Sequence, residues 1–266
     1  MAGVSDADIE MLEKVDEALL RGLLGAHAKV PIEALFLETG TIPLKSVLKS
    51  RRLCYLKTIL GRDSEEIVKE VYNAQKDNPY PGDFYNLVKK DASDAKTDIT
   101  DENRIISMKD DKYKSEVKVK VRQAAFENLK QVKSGHSKMD NVEYDKLELA
   151  KYLHSPLFDR QSVEMLLALR TRTVRTIKND FRGMFFNVDC PLGCDHKDTL
   201  PNILTCPVLQ SHIQSNDVAN NKVKYEDIFS PDIVKQKQVT QLYTQLLEIR
   251  ENLQNSSPAT ITGPMH

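Results

Sequence analysis

No stretch of this 266-residue chain approaches the ~20 consecutive apolar residues that cross a bilayer, so no membrane-spanning role is expected. The opening Met1-Ala-Gly-Val-Ser-Asp lacks the basic start and apolar run of a secretory leader. An intracellular protein, nuclear or cytoplasmic, is the expectation. Cysteine is scarce: four residues are too few for a disulfide scaffold. Ten glycines and eleven prolines exclude a collagen-like fibre. Net charge is nearly absent, at -1, so bulk attraction to a polyanion is excluded and any nucleic-acid site must come from local clustering. Neither G-x-x-x-x-G-K-[ST] nor G-x-G-x-x-G occurs, which removes the usual phosphate-cradling loops. A polymerase needs metal-binding carboxylates held at an apolar hairpin. The only adjacent aspartates, Asp110 and Asp111, lie in hydrophilic SMKDDKYK and read as a helix start.

What is present is helical period. Behind Ser5-Asp6-Ala7-Asp8, Ile9, Leu12, Val15, Leu19 and Leu23 share one face, predicting a helix to about Gly25. Pro31 opens a short helix to Glu38, with Gly40 just past its end. Pro43 opens PLKSVLKSRRLCYLKTIL, closed by Gly61, and Asp63-Ser64-Glu65-Glu66 precedes a helix carrying Ile67, Val68, Val71 and Tyr72. A short helix is expected over 84–90 and an exposed loop over 91–103. Long helices are expected over about 112–133, 160–179 and 231–252, with a disordered tail behind the last. The expected fold is mainly α, a multi-helix bundle of about eight to ten helices followed by a small Cys-rich knuckle.

Charge is uneven along the chain. Residues 45–62 hold Lys45, Lys49, Arg51, Arg52, Lys57 and Arg62 with no acid. Residues 169–182 hold Arg170, Arg172, Arg175, Lys178 and Arg182 against Asp180. Two such segments in a neutral protein suggest focused surfaces for RNA or DNA, although a basic helix face is more often simply solvated. Three cysteines also cluster: Cys190-Pro-Leu-Gly-Cys194-Asp-His196, followed by Cys206. Zinc takes four tetrahedral ligands from thiolates and imidazoles. Cys190, Cys194 and Cys206 supply three, and His196 is within reach as the fourth. Asn202 stands four residues before Cys206, where a knuckle would carry histidine, and His212 is more distant. The plain alternative is three thiols with no metal. Cys54 stands apart.

Four runs carry a resemblance: KVPIEALFLETGTIPLKSVLKSRRLCYLKTILGRD, AQKDNPYPGDFYNLVKKD, VRQAAFENLKQVKSGHSKMDNVEYDKLELAKYLHSPLF, and LLALRTRTVRTIKNDFRGMF leading to the cysteines. Together they resemble the region that follows the palm in reverse transcriptases of LINE-type (non-LTR) retrotransposons, and EMLEKVDEALLRGLLGAH resembles the thumb. The resemblance implies an RNA-directed DNA polymerase acting in target-primed reverse transcription. It implies a thumb that grips template and primer, a zinc knuckle that contacts nucleic acid, and the polymerase portion of the parent element as partner. Fingers and palm are absent, so this chain is expected to be inactive alone. The division it suggests is a thumb-like helical domain over 1–78, a helical region over 79–182, the knuckle over 183–212, C-terminal helices over 213–252 and a tail over 253–266. Expected nucleic-acid contacts are Lys45, Lys49, Arg51, Arg52, Lys57, Arg170, Arg172, Arg175 and Lys178. The alternative is a helical protein-interaction module or a decayed retroelement fragment.

Overall fold

The computed structural model of the chain describes residues 6–134, 139, 142–174, 189–213 and 223–256. Among them are eleven α-helices and two 3-10 helices, and the only β pairing is an isolated bridge between Asp189 and Lys197. The fold is mainly α, as expected. Three helices of six residues each take the count above the expected ten. The chain forms two compact units. One comprises Met1–Leu20, Ile32–Gly135 and Tyr144–Leu149, the other Arg21–Pro31, His136–Glu143 and Ala150–His266. The expected boundary at residue 78 is not found. Tyr72 shares one core with Leu53, Leu56, Val88, Ile105, Tyr113 and Val117, so helices on both sides of that position close on the same apolar cluster.

In the first unit, α1 (Asp6–Leu24, which enters the second unit at Arg21) and α2 (Ile32–Thr39) precede α3 (Leu44–Leu60). Then come α4 (Ile67–Asp77), α5 (Phe84–Asp94), α6 (Glu102–Ser107) and α7 (Asp110–Ser134). The centre is the pair α3 and α7. They run antiparallel. Lys57 near the end of α3 meets Asp110 at the start of α7, and the Tyr113 hydroxyl donates to the Leu53 carbonyl at 3.1 Å. Arg122, further along α7, donates to the Gly40 carbonyl just ahead of α3 at 2.7 Å. Burial pushes the Tyr113 phenol up to about 12, which keeps it neutral and a donor. Val117, Val121, Ala125 and Leu129 form the buried stripe of α7, while Val132, the next apolar residue along it, is 40% exposed.

Three local expectations fail. Residues 91–103 are not an exposed loop. α5 continues to Asp94, α6 begins at Glu102 behind an Asp101 cap, and Asp91, Ala92, Ala95 and Thr97 are buried. Polar residues hid this segment because Asp91 is buried as an ion-pair partner, which hydropathy does not register. The apolar stripe of α1 exists but faces outward: Met11, Leu12, Val15, Leu19 and Leu23 are exposed, while Ile9 and Leu20 are the residues buried. On α4, Ile67, Val68 and Val71 are likewise exposed, and Tyr72 alone is buried. Glu66 occupies the N-cap there without a side-chain cap bond.

The second unit contains α8 (Arg160–Arg170), α9 (Leu200–Thr205), α10 (Pro207–His212) and α11 (Ile233–Ser256). Asp159 caps α8 through the Ser162 N–H at 2.8 Å. Hydrogen bonds from the Ser162 hydroxyl and N–H hold its carboxyl below the usual range. α8 ends at Arg170 rather than near 179, and Arg172 turns the chain at φ +50. Residues 175–179 lie outside the described residues, as does the tail beyond Ser256, where the last helix ends four residues later than expected. The core of this unit joins Leu166, Leu169, Leu200, Ile203, Leu209, Ile228, Val239, Tyr243 and Leu246. Cys206 belongs to the same cluster, with Cys190 and Cys194 packed against it.

Gly40 and Gly82 permit a paired test. Both hold positive φ, +65 and +89. A Cβ on Gly40 would sit 2.5 Å from the Glu148 carbonyl carbon and 2.6 Å from the Leu149 nitrogen, whereas one on Gly82 would meet nothing. Gly82→Ala should cost about 1–2 kcal/mol from backbone strain alone. Gly40→Ala should cost about 2–5 kcal/mol, since backbone cannot move aside as a side chain does. Urea unfolding of the two variants measures the difference, and equal midpoints would contradict this account.

Candidate metal centre and the placement of the basic residues

The knuckle is built from short-range bonds. The Cys190 N–H donates to the His196 carbonyl at 2.9 Å, inside the bridge formed by Asp189 and Lys197. Lys197 Nζ also meets Asp189 Oδ1 at 2.8 Å. The Gly193 N–H returns to the Cys190 carbonyl at 3.0 Å, and Gly193 holds φ +76, a region that glycine enters without a Cβ penalty. Pro191-Leu192-Gly193 thus forms a tight turn with a cysteine at each end. Thr199 caps α9 and Pro201 lies in its first turn. Cys206 ends α9 and starts α10, with Pro207 next in line. The helix break therefore fixes Cys206 against the turn.

The sulfurs converge. Cys190 Sγ lies 3.9 Å from Cys206 Sγ, and Cys194 Sγ lies 3.6 Å from it. All three fall within 4.8 Å of one another and none is in a disulfide. Zn–S bonds of ~2.3 Å at tetrahedral angles put sulfurs roughly 3.5–4 Å apart, so the spacing suits a metal ion. His196 does not complete the group as it stands, because only the three sulfurs share that 4.8 Å sphere among the described residues. His196 nevertheless lines the same small cavity as Cys190 and Cys206, and its Nδ1 is buried with no hydrogen-bond partner. A buried nitrogen without a partner is costly, and a cation in the cavity would satisfy it. Asn202 is committed elsewhere. Its Nδ2 donates to the Lys197 carbonyl at 3.0 Å, tying helix to turn. His212 is exposed at the end of α10 and lies outside the group.

Two longer-range bonds brace the knuckle against α11. The Tyr243 hydroxyl donates to the Leu200 carbonyl at 2.7 Å. Arg250 grips Asp198 with both prongs at 2.8 Å, with side chains 8% and 2% exposed. Sequence reading missed this pair because its members are 52 residues apart. The one local hint was an aspartate beside the metal-like cluster.

The basic residues are dispersed by the fold, which corrects part of the expected nucleic-acid set. Lys57 is buried, with Nζ donating to the carbonyls of Ile105 at 2.8 Å, Ile106 at 3.3 Å and Met108. Arg52 forks onto buried Asp91 at 2.6 and 3.1 Å, and Lys49 pairs with Asp94. Arg170 is buried, donating to the Ile228 carbonyl at 3.2 Å over the Tyr152 ring. These four point to protein groups. Arg172 is half-buried. Lys45 and Arg51 are exposed, and Arg175 and Lys178 lie outside the described residues. The residues that sequence reading missed are Lys114 and Lys118, exposed on α7 and close enough to Cys54 of α3 to act on its thiol. The run KYKSEVKVK carried the signal, but Glu116 and Asp110-Asp111 balanced its local charge.

Removing the guanidinium of Arg250 deprives the buried Asp198 carboxylate of its two-pronged charge partner. Arg250→Met should cost roughly 3–5 kcal/mol in denaturant unfolding. Adding Asp198→Asn should recover part of that loss, because the stranded charge is then gone. Simple addition of the two single losses would argue against the pair.

No family model, no curated protein and no solved structure matches the chain.

Proposed function

We propose that the chain is a non-catalytic, nucleic-acid-binding portion of a LINE-type reverse transcriptase, acting inside the cell on RNA or DNA template and primer. Its C-terminal unit is clamped by zinc on Cys190, Cys194 and Cys206, with His196 as fourth ligand. The observation that carries this reading is the convergence of the three sulfurs on a hairpin-and-helix knuckle. It falls in the position that the resemblance assigns to a zinc knuckle. Three thiolates and one imidazole form a donor set that zinc favours over magnesium or calcium. When bound, zinc supplies a cross-link and a positive charge that holds the thiols deprotonated. The protein's own part is to bring turn and helix break together and to hold the knuckle onto α11 through Arg250 and Tyr243. The absence of catalysis rests on the carboxylates. Asp110 and Asp111 form the first turn of α7, where Asp110 lies 3.5 Å from Lys57, and no apolar hairpin carries them.

A second reading, a helical protein-interaction module, is favoured by the outward stripe of Met11, Leu12, Val15 and Leu19 on α1. Two measurements on the purified full chain separate the readings. Metal analysis should give one zinc per chain. That content should be unchanged in Cys54→Ser, lost in Cys206→Ser and weakened in His196→Ala. Titration with labelled RNA and primer-template duplex should show affinity that falls linearly in log–log form with salt. Zinc without nucleic-acid affinity would favour the interaction module, and primer extension by the pure chain would overturn the non-catalytic assignment.

A further inference from the structure

The acids around the α3–α7 pair are already engaged. Asp91 is held by Arg52, Asp94 by Lys49, Asp110 by Lys57, and Glu116 by both Arg104 and Lys120 at 3.2 Å. Among the exposed cations of the same pair that have no such partner are Arg51 on α3, and Lys114 and Lys118 on α7. The antiparallel register set by Lys57 with Asp110 and by Tyr113 with Leu53 brings Lys114 and Lys118 level with Cys54 and Ser50. Both lysines also act on the Cys54 thiol. Arg51 is one turn before Cys54, on the outer side of α3. Lys114 and Lys118 stand at i and i+4 on one helix, where like charges repel. An anion between them relieves that repulsion. Asp111, at the very start of α7, and Glu127, two turns beyond Lys118, are exposed acids of this pair not engaged by a cation among the described residues.

We infer that the outer seam of α3 and α7 tracks the backbone of a single nucleic-acid strand, with Arg51, Lys114 and Lys118 on successive phosphates and Tyr55 as a stacking face for one base. Tyr55 follows Arg51 by four residues, so it lies on the same side of α3. It is 38% exposed, and its ring is held edge-on by Phe84 at 5.9 Å between centroids. A propped aromatic ring beside unpaired cations is the combination that single strands recognise, because every base offers a face and every linkage a charge. An acidic protein segment would use the cations but gain little from the ring. The inference rests on the nucleic-acid reading above and gives it a location in the first unit, independent of the cysteines. Of the nine basic residues expected from sequence, only Arg51 belongs to this seam.

The test is a salt titration of the full chain on a fluorescein-labelled 20-nucleotide RNA of one base. The variant carries Arg51→Gln, Lys114→Gln and Lys118→Gln, and the control carries Lys235→Gln, an exposed cation of the second unit. Each phosphate contact on a single strand contributes about 0.7 to the log–log slope, so the triple variant should lose about 2. Lys235→Gln should change nothing. Tyr55→Ala should lower affinity with the slope intact, since stacking is not ionic. Thermal melting of the triple variant should match the parent, because none of the three holds a partner. A parent that binds RNA with a salt slope which the triple variant retains would overturn the seam and leave the nucleic-acid reading standing. A parent that does not bind at all would defeat both. Equal affinity of the seam for polyglutamate and RNA, with Tyr55→Ala silent, would assign it to an acidic protein instead.

Discussion

Three cations carried into the interior constrain both units. A charge removed from water must be met nearly in full by protein groups, or folding fails. Lys57 is met by three carbonyls at the end of α6, where unsatisfied carbonyls and the negative end of the helix dipole coincide. That demand fixes the short helix α6 against α3 and with it the entry of α7 at Asp110. Arg170 occupies the last turn of α8 and reaches the Ile228 carbonyl, which fixes the 3-10 helix Tyr225–Phe229 over α8. Arg250 meets Asp198 and so fixes the knuckle on α11. In each case a helix carries the cation and a short, irregular element supplies the answer. These irregular elements are positioned by charge, and the long helices α3, α7 and α11 by apolar residues in the two cores.

The same constraint explains how much was legible from sequence. Helices with a buried stripe at 3.6-residue period, such as α7 over Val117, Val121, Ala125 and Leu129, were found nearly to their ends. The cysteine cluster was legible because its turn is local: Cys190, Gly193 and Cys194 are neighbours, and Cys206 is one short helix away. The basic run over 45–62 misled because charge read along the chain has no depth. Lys49 and Arg52 meet acids on α5, and Lys57 meets carbonyls at the end of α6, all some 40 to 50 residues away. Lys114 and Lys118 were passed over for the opposite reason, since acids adjacent in sequence cancel them in a count although Asp110 and Glu116 serve other cations in space. The stripe of α1 misled because period identifies a shared face but not the direction in which it points.

The two candidate sites differ in how they are supported. The knuckle is local in its ligands and remote in its bracing, which comes from Tyr243 and Arg250 on α11. The seam is assembled from two helices far apart in sequence, and its shape depends on the antiparallel register of α3 and α7. That register is fixed by Tyr113, whose phenol remains protonated and can donate to Leu53 across the ordinary pH range. A metal ion held by the three cysteines would therefore tighten the second unit and leave the scaffold of the seam unaltered.

The bracing of the knuckle from α11 also has a meaning in time. A chain emerges from the ribosome from its N-terminus, at roughly 5–20 residues per second. Arg250 follows Cys206, the last of the three thiols, by 44 residues, so all three are synthesised roughly 2–9 s before the guanidinium that settles Asp198. During that interval the turn around Gly193 can form, because its bonds are all short-range, but the burial of Cys206 against Tyr243 and Leu246 cannot. The nascent knuckle thus keeps its thiols accessible until the last long helix is complete, so that any metal ion it takes would have access before the core seals.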